Sequence, residues 1–368
     1  MTLTTGRTIR DAMLTRLRAM LDGSGDVLDW DGSPSGRLVD RRATVELGFS
    51  GVIVTTSGSS GHPKAVMLSR DALVEAATAS QERLGGSGIW VNPLPLRYVA
   101  GLMTAVRAIV AGRGYVDADP HLSDLPGVDQ RAYVSVVPAQ LHAGLADREI
   151  TAKLRQYAAV LVGGAALSAE ECDRARDAGV AVVTTYGMSE TCGGVVYDGV
   201  PLNRVTVDVA PAPDRQAGRI SITTATAFSG YVGDPQLTGE VLAGRTVLTQ
   251  DLGTWADGRL VVTGRVDDVI QSGGVNVDLS EVQSVLDRAY PQATACFGVP
   301  DPVWGSTVVV ASTGPGLDEL AEVVVDQLGS PAKPRAVMTV AALPRTASGK
   351  IDRIGLVDQW RERHGESA

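Results

Sequence analysis

Between residues 52 and 262 short β-branched runs alternate with stretches of helical period, a pattern that few architectures satisfy. Residues 52–55, 89–92, 134–137, 160–162 and 180–185 carry the Val, Ile and Thr that suit buried strands. Residues 71–84, 99–111 and 169–178 repeat apolar side chains at helical spacing, with Ser69 and Ser168 standing where N-caps belong. Strands joined through helices predict a largely parallel α/β sheet. After residue 219 the texture changes: residues 220–223, 246–248 and 260–263 read as strands of a smaller β subdomain. From Ser280 a capped helix over 281–289, strands at 295–299 and 307–312, a helix over 317–328 and a strand at 336–340 predict a separate α+β unit. The polar, glycine-bearing stretch Gly264-Arg265-Val266-Asp267-Asp268 joins the two. The expected class is therefore α/β, with a large N-terminal domain over 1–264, a hinge at 265–268 and a small C-terminal α+β domain over 269–368.

Composition removes several function classes. With 368 residues, 44% of them hydrophobic, the chain can bury a core in each of two or three domains, and wholesale disorder is excluded. No apolar run reaches the roughly 18 to 20 residues of a membrane span, since the longest candidate, 158–167, is broken by Gly163 and Gly164. No membrane insertion is expected. Arg7, Arg10, Arg16 and Arg18 interrupt the N-terminal segment, which lacks the form of a secretory signal, and a cytoplasmic location is expected. The three cysteines, Cys172, Cys192 and Cys296, form no CxxC pair, so neither a disulfide framework nor a zinc site is anticipated. An excess of 42 acidic over 33 basic residues, net charge −9 and no basic block, argues against a nucleic-acid partner.

Five stretches carry chemistry. Thr55-Thr56-Ser57-Gly58-Ser59-Ser60-Gly61-His62-Pro63-Lys64 is a hydroxyl- and glycine-rich loop that can present N–H groups, hydroxyls and one cation to phosphate. It is not a Walker A loop, because Pro63 stands where the second glycine is required, and it can equally be a Ser/Gly surface loop. Thr184-Thr185-Tyr186-Gly187-Met188-Ser189-Glu190-Thr191 runs out of a strand into an aromatic, a hydroxyl and a carboxylate, where α/β proteins place ligands. Tyr186 can stack on a base, Ser189 can bind phosphate and Glu190 can hold Mg²⁺; the alternative is a plain helix start capped by Ser189. Asp251 can accept both hydroxyls of a ribose or simply shape a turn. Arg265 can bind ribose or phosphate, with Asp267 and Asp268 keeping the joint solvated. Lys350, in Ser348-Gly349-Lys350-Ile351-Asp352, can swing into a site or remain a solvated lysine.

The order and spacing of these stretches resemble those of the adenylate-forming enzymes, the family of acyl-CoA synthetases, adenylation domains and firefly luciferase. The likeness spans residues 52–353. Within the family, residues 182–199, together with Pro93-Leu94-Pro95-Leu96-Arg97-Tyr98-Val99-Ala100-Gly101-Leu102, Ser135-Val136-Val137-Pro138-Ala139-Gln140-Leu141 and Leu161-Val162-Gly163-Gly164-Ala165-Ala166, are most similar to the short actinobacterial 2-succinylbenzoate–CoA ligases of menaquinone synthesis.

The resemblance implies a two-step ligation using ATP, Mg²⁺ and coenzyme A: an aromatic carboxylic acid is converted to its adenylate, and the CoA thiol then displaces AMP. By the same resemblance, Thr56, Ser57, Gly58, Ser59, Ser60, Gly61 and Lys64 would hold the β- and γ-phosphates, and Gly163, Gly164 and Ala165 with Thr185, Tyr186 and Gly187 would enclose adenine. Ser189 would contact the α-phosphate, Glu190 the metal, and Asp251 with Arg265 the ribose. Lys350 would bridge the attacking carboxylate and the α-phosphate. Arg97, Tyr98, Gln140, Leu141, Gly163, Met188 and Thr191 would line the acid pocket, with Arg97 available as a cation. The mobile small domain would rotate at Asp267 and turn Gly273 and Gly274 toward CoA, two glycines that a tight turn also explains. The chain departs from the family at Tyr98, where many relatives have His, at Ala65 and Gln250, where Gly is common, and in its short region before the phosphate loop. That region is either reduced or completed by a partner; a homodimer is one such arrangement, although no motif marks it. Two other readings stay open, an adenylating enzyme for another acid or a carrier protein, and a non-catalytic nucleotide binder.

Overall fold

The computed structural model describes residues 3–23, 27–30, 37–38, 49–56, 64–210, 217–345 and 351–364. By contacts the chain divides into two compact units, one of Met1–Asp208, Ser221–Leu248 and Asp257–Arg259, the other of Val209–Ile220, Thr249–Ala256 and Leu260–Ala368. The division runs through two long strands, Gly218–Thr224 and Thr246–Ala256, so Asp251 belongs to the second unit. The class is α/β as expected, with a larger N-terminal α/β unit and a smaller C-terminal α+β unit.

In the first unit a seven-stranded sheet has the order Val200–Pro201, Gly193–Tyr197, Val182–Met188, Ala159–Val162, Ala132–Val136, Ile89–Asn92, Tyr115–Asp117. The last five are parallel. Every residue of Ala132–Val136 and Ala159–Val162 is buried, as required where helices cover both faces of a parallel sheet, and this is why these strands read as unbroken apolar runs. The helix Arg70–Arg83 starts at Ser69, whose Oγ accepts the Ala72 N–H at 3.2 Å. The helix Val99–Ala111 ends where Gly112 adopts the left-handed conformation, φ 62°. From Ile89–Asn92 the chain steps outward to Tyr115–Asp117 and then crosses back to Ala132–Val136 on the other side, so the strand order reverses between Asn92 and Val136. At such a reversal the loops leaving the two carboxyl ends diverge and open a crevice.

The strand at 52–55 does not join this sheet, contrary to expectation. Gly51–Thr56 pairs antiparallel with Lys64–Ser69 and parallel with Leu28–Trp30, in a separate five-stranded sheet whose other members are Arg37–Leu38 and Gly230–Tyr231. Gly51–Thr56 and Lys64–Ser69, the next described segment, run antiparallel, a pairing that needs no helical crossover between them. The expected strand at 246–248 is likewise longer than its β-branched part, and Asp251 lies inside Thr246–Ala256 and not after a strand.

The second unit sets a sheet of Val275–Asp278, Val269–Ser272, Gly305–Ser312, Thr294–Asp301 and Pro334–Thr339 between helices. Leu279–Ala289 and Leu317–Leu328 bury Val282, Leu286, Leu320 and Val324 in one core, while Phe297, Met338 and Leu356 form another with the helix Arg353–His364. The first of these helices is capped by Asp278, whose carboxylate accepts the Ser280 N–H at 2.8 Å, two residues earlier than Ser280 as cap.

Candidate active site

The phosphate-loop stretch is carried on a hairpin. Thr56 and Lys64 lie opposite each other at the ends of its strands, and Thr56 Oγ1 donates to Lys64 O at 3.4 Å. Ser57, Gly58, Ser59, Ser60 and Gly61 lie outside the described residues. Lys64 Nζ stands 5.7 Å from the centroid of the Tyr231 ring. Tyr231 occupies the neighbouring strand opposite Val66, and its phenol donates to Glu190 Oε1 at 2.6 Å. Glu190 is placed by the short 3-10 turn Ser189–Thr191 that follows the Val182–Met188 strand, and its carbonyl accepts the Phe228 N–H at 2.9 Å. Burial above all, then the Glu190 charge and hydrogen bond, push the Tyr231 phenol well above its ordinary pKa, so it remains a donor. The alternative of a plain helix start at Ser189 does not form; the segment is a single tight turn, and its carboxylate meets the strand beside the hairpin. Tyr231 carries no sequence signal for this role, because its partner is 41 residues away.

Close backbone approach explains two of the glycines expected at the nucleotide. A Cβ on Gly187 would stand 2.0 Å from Gly193 O, and one on Gly163 would stand 2.3 Å from Thr185 Oγ1, which donates to Val162 O. Tyr186 pairs with Val196 and is half-buried, while Gly164 and Ala165 are exposed beyond the end of Ala159–Val162. Gly163–Ala165 and Thr185–Gly187 thus lie at the carboxyl ends of adjacent parallel strands.

The residues expected to meet the acid follow three different strands of this sheet and have unequal surroundings. Asn92 Oδ1 accepts the Leu94 N–H at 3.1 Å and bends the chain as it leaves the strand. This presents Arg97, which is exposed, with its guanidinium 4.9 Å from the Tyr98 ring centroid. Leu102, Met103, Cys192 and the half-buried Met188 pack in one cluster, which brings the start of the Val99–Ala111 helix against the Glu190 turn. Gln140 is otherwise engaged: its Oε1 accepts the Val137 N–H at 3.0 Å and its Nε2 donates to Pro120 O at 2.8 Å, so both ends of its amide brace the Pro138–Ala146 helix. Thr191 is fully buried, its hydroxyl accepting the Met188 N–H at 3.0 Å and facing Gly193 O at 2.8 Å. Leu141 is core. These three are engaged in local hydrogen bonds or in the core.

In the second unit Arg265 forks between two carboxylates. Its Nη1 donates to Asp251 Oδ1 at 2.8 Å, and its Nε and Nη2 donate to Asp267 at 2.8 and 2.9 Å. Burial would lower the guanidinium pKa, but the Asp267 hydrogen bonds and the charges of Asp251, Asp267 and Asp268 outweigh it, so Arg265 stays charged. Asp251 is 8% exposed; its backbone N–H donates to Thr249 Oγ1 at 3.0 Å, and Arg265 orients its carboxylate. Gly273 and Gly274, at φ 60° and 80°, form the two-residue turn between Val269–Ser272 and Val275–Asp278, the turn geometry that favours glycine at both positions. A Cβ at Gly273 would also stand 2.8 Å from the Trp304 ring. Lys350 lies outside the described residues; Arg345 and Ile351, on either side, pair as an isolated antiparallel bridge.

Among the described residues no group of three or more His, Cys, Asp or Glu can cage a metal. A single anchored carboxylate at Glu190 fits magnesium, which keeps water and substrate phosphate in most of its shell and needs one or two protein carboxylates. Also among the described residues, no helix is long and apolar enough to cross a membrane.

Comparison with known proteins agrees with this arrangement. Residues 50–232 match the model of the AMP-binding enzyme family, and residues 289–350 match its AMP-binding enzyme C-terminal domain. A probable 2-succinylbenzoate–CoA ligase of Mycobacterium tuberculosis is 38% identical over 84% of this chain and 84% of its own length. A feruloyl-CoA synthase of Amycolatopsis is 33% identical over 85% of this chain and 70% of its own. Among solved structures, an amide bond synthetase of Marinactinospora thermotolerans superposes with a TM-score of 0.72 at 26% identity, over 84% of this chain and 69% of its own. With both the nucleotide module and the C-terminal module matched, and a relative this similar over most of both lengths, the chain belongs to the AMP-binding enzyme family and is an acid–thiol ligase of that family.

Proposed function

We propose that the acid activated by this ligase is 2-succinylbenzoate, with MgATP and coenzyme A as the other substrates and AMP, pyrophosphate and the CoA thioester as products. The observation that supports adenylation chemistry is the convergence of Lys64, Tyr231 and Glu190 at the end of the parallel sheet. The choice of acid is supported by the similarity to the mycobacterial protein across most of both chains. It is supported too by Arg97, an exposed guanidinium just after the carboxyl end of the Ile89–Asn92 strand and suited to the second carboxylate of a dianionic aromatic acid.

In the first step a carboxylate oxygen of the acid attacks the α-phosphorus, the bond to the bridging oxygen breaks, and pyrophosphate leaves. Lys64 and the loop before it hold the β- and γ-phosphates, Ser189 contacts the α-phosphate, and Tyr186 with Gly163 to Ala165 borders adenine. Glu190 holds magnesium, which when bound offsets phosphate charge. Asp251 accepts the ribose hydroxyls beside Arg265. Lys350, cationic at neutral pH, bridges the acid and the α-phosphate and stabilises charge on the pentavalent transition state. In the second step the CoA sulfur attacks the acyl carbon and AMP leaves. The small domain, taken as 269–368 after a 265–268 hinge, turns at Asp267 between the steps and presents Gly273 and Gly274 to the pantetheine arm. The enzyme acts in the cytoplasm, as a homodimer.

Acid-dependent exchange of labelled pyrophosphate into ATP, run with 2-succinylbenzoate beside ferulate, benzoate and medium-chain fatty acids, tests this reading. Exchange with 2-succinylbenzoate, and thioester only when CoA is added, is the expected result. Exchange with ferulate alone would transfer the assignment to the activity named for the Amycolatopsis relative, and thioester on a carrier protein but not on CoA would overturn the choice of thiol.

A further inference from the structure

We propose that Tyr231 is a positioning residue that fixes the carboxylate of Glu190 for the metal, an inference that rests on the reading of Glu190 as the magnesium carboxylate. A glutamate on a one-turn 3-10 segment has three side-chain torsions and no helix to restrict them. A metal ligand left in that state loses rotamer freedom when it binds. Here the freedom is already removed. Tyr231 Oη donates to Glu190 Oε1 at 2.6 Å, which restrains the carboxylate through one of its two oxygens.

Tyr231 is itself rigidly held. It is 6% exposed, its ring lies edge-on to Phe228 at 4.9 Å, and its N–H donates to Thr238 Oγ1 at 2.9 Å. It pairs with Val66, two residues along from Lys64, while the Phe228 N–H holds the Glu190 carbonyl. The strand Gly230–Tyr231 thus ties the hairpin that carries the phosphate-loop lysine to the turn that carries the acid. A structural tyrosine would need only its ring in this core; the phenol adds a donor aimed at one carboxylate oxygen. Partners that orient a metal ligand change metal affinity by about 10- to 100-fold when removed.

The test uses the full-length protein and reads binding. ATP is titrated calorimetrically with EDTA and with Mg²⁺, and Mn²⁺ is titrated into the protein–ATP complex by electron paramagnetic resonance, for wild type, Tyr231→Phe and Glu190→Gln. Phenylalanine keeps the ring and its contacts and removes one oxygen. Tyr231→Phe is expected to leave ATP binding in EDTA and the melting temperature near wild type, and to weaken Mn²⁺ binding by about 10- to 100-fold. Loss of ATP binding in EDTA to the same extent would make Tyr231 a general structural residue and overturn the proposal. Unchanged Mn²⁺ binding in Tyr231→Phe, with loss in Glu190→Gln, would overturn the positioning role and leave the metal carboxylate standing. Unchanged Mn²⁺ binding in Glu190→Gln would remove the reading of Glu190 and the proposal with it.

Discussion

Single residues divide into those that meet a ligand and those that hold the backbone in place, and the structure separates them where spacing does not. Gly187 lies in the most ligand-like stretch of the chain, yet its lack of a side chain is demanded by Gly193 O, 2.0 Å from where a Cβ would be. Gly187→Ala is therefore expected to lower the urea midpoint at unchanged m-value by the equivalent of about 1–3 kcal/mol, the usual range for overpacking. A normal midpoint with impaired ATP binding would show that the glycine serves the nucleotide alone. Arg97 is the opposite case, exposed and resting on Tyr98. Arg97→Gln is expected to raise the KM for 2-succinylbenzoate by about 10- to 100-fold, as for loss of a hydrogen bond to a charged group, and to alter the KM for benzoate little. An equal rise for both acids would refute a role toward the second carboxylate. Gln140 and Thr191 have the residue types of a polar pocket, but each hydrogen-bonds its own turn within three residues. Such local closure competes with ligand contact and is hard to distinguish from it in sequence. Tyr231 was illegible for the reverse reason, since its partner is distant in sequence and nothing around it repeats a chemical pattern.

Elements were legible where burial repeats regularly. The helices Val99–Ala111 and Leu317–Leu328 coincide with their expected spans because an apolar face and a following Gly define each of them. The strand Ile89–Asn92 coincides for its β-branched content. The sheet to which Gly51–Thr56 belongs was not legible, because a loop of this length joins antiparallel strands as readily as a strand and a helix, and pairing partners are set by the whole fold. At Thr246–Ala256 the polar pair Gln250 and Asp251 interrupts the apolar pattern although the strand continues through them. The joint Val266–Asp268 also carries a measurable conflict. Burial raises the Asp268 pKa above the ordinary carboxylate value, partly opposed by the Arg353 charge. The folded state then binds the proton more tightly than the unfolded one, so stability falls as pH rises from about 3.9 through the raised value, and the loss persists at neutral pH. Asp268→Asn removes the charge and keeps an acceptor for Ser280 Oγ. It is expected to raise the melting temperature at pH 7, with the gain vanishing near pH 4; a gain that is the same at both pH values would place its origin elsewhere.

At the scale of the whole molecule the expected machinery is shared between the two units. Lys64, Ser189, Glu190 and Tyr231 belong to the first, and Asp251, Arg265, Asp267 and Lys350 to the second. A ligase that must first activate an acid and then expose it to a thiol has conflicting needs: the cation that stabilises the pentavalent phosphorus serves only the first reaction. On the proposed mechanism Lys350 and the Gly273-Gly274 pair both fall within 269–368, the segment proposed to turn, so one body would serve the two steps in succession. The consequence is a separation of half-reactions. Lys350→Ala is expected to slow acid-dependent pyrophosphate exchange by about 10²- to 10³-fold, the range for losing one transition-state contact. Thioester formation from CoA and chemically prepared acyl-adenylate should stay within a few-fold of wild type, because the lysine has no developing phosphate charge to stabilise in that step. Parallel loss of both half-reactions in protein of normal melting temperature would mean that Lys350 acts throughout the cycle, and the division of labour inferred for the small domain would have to be given up.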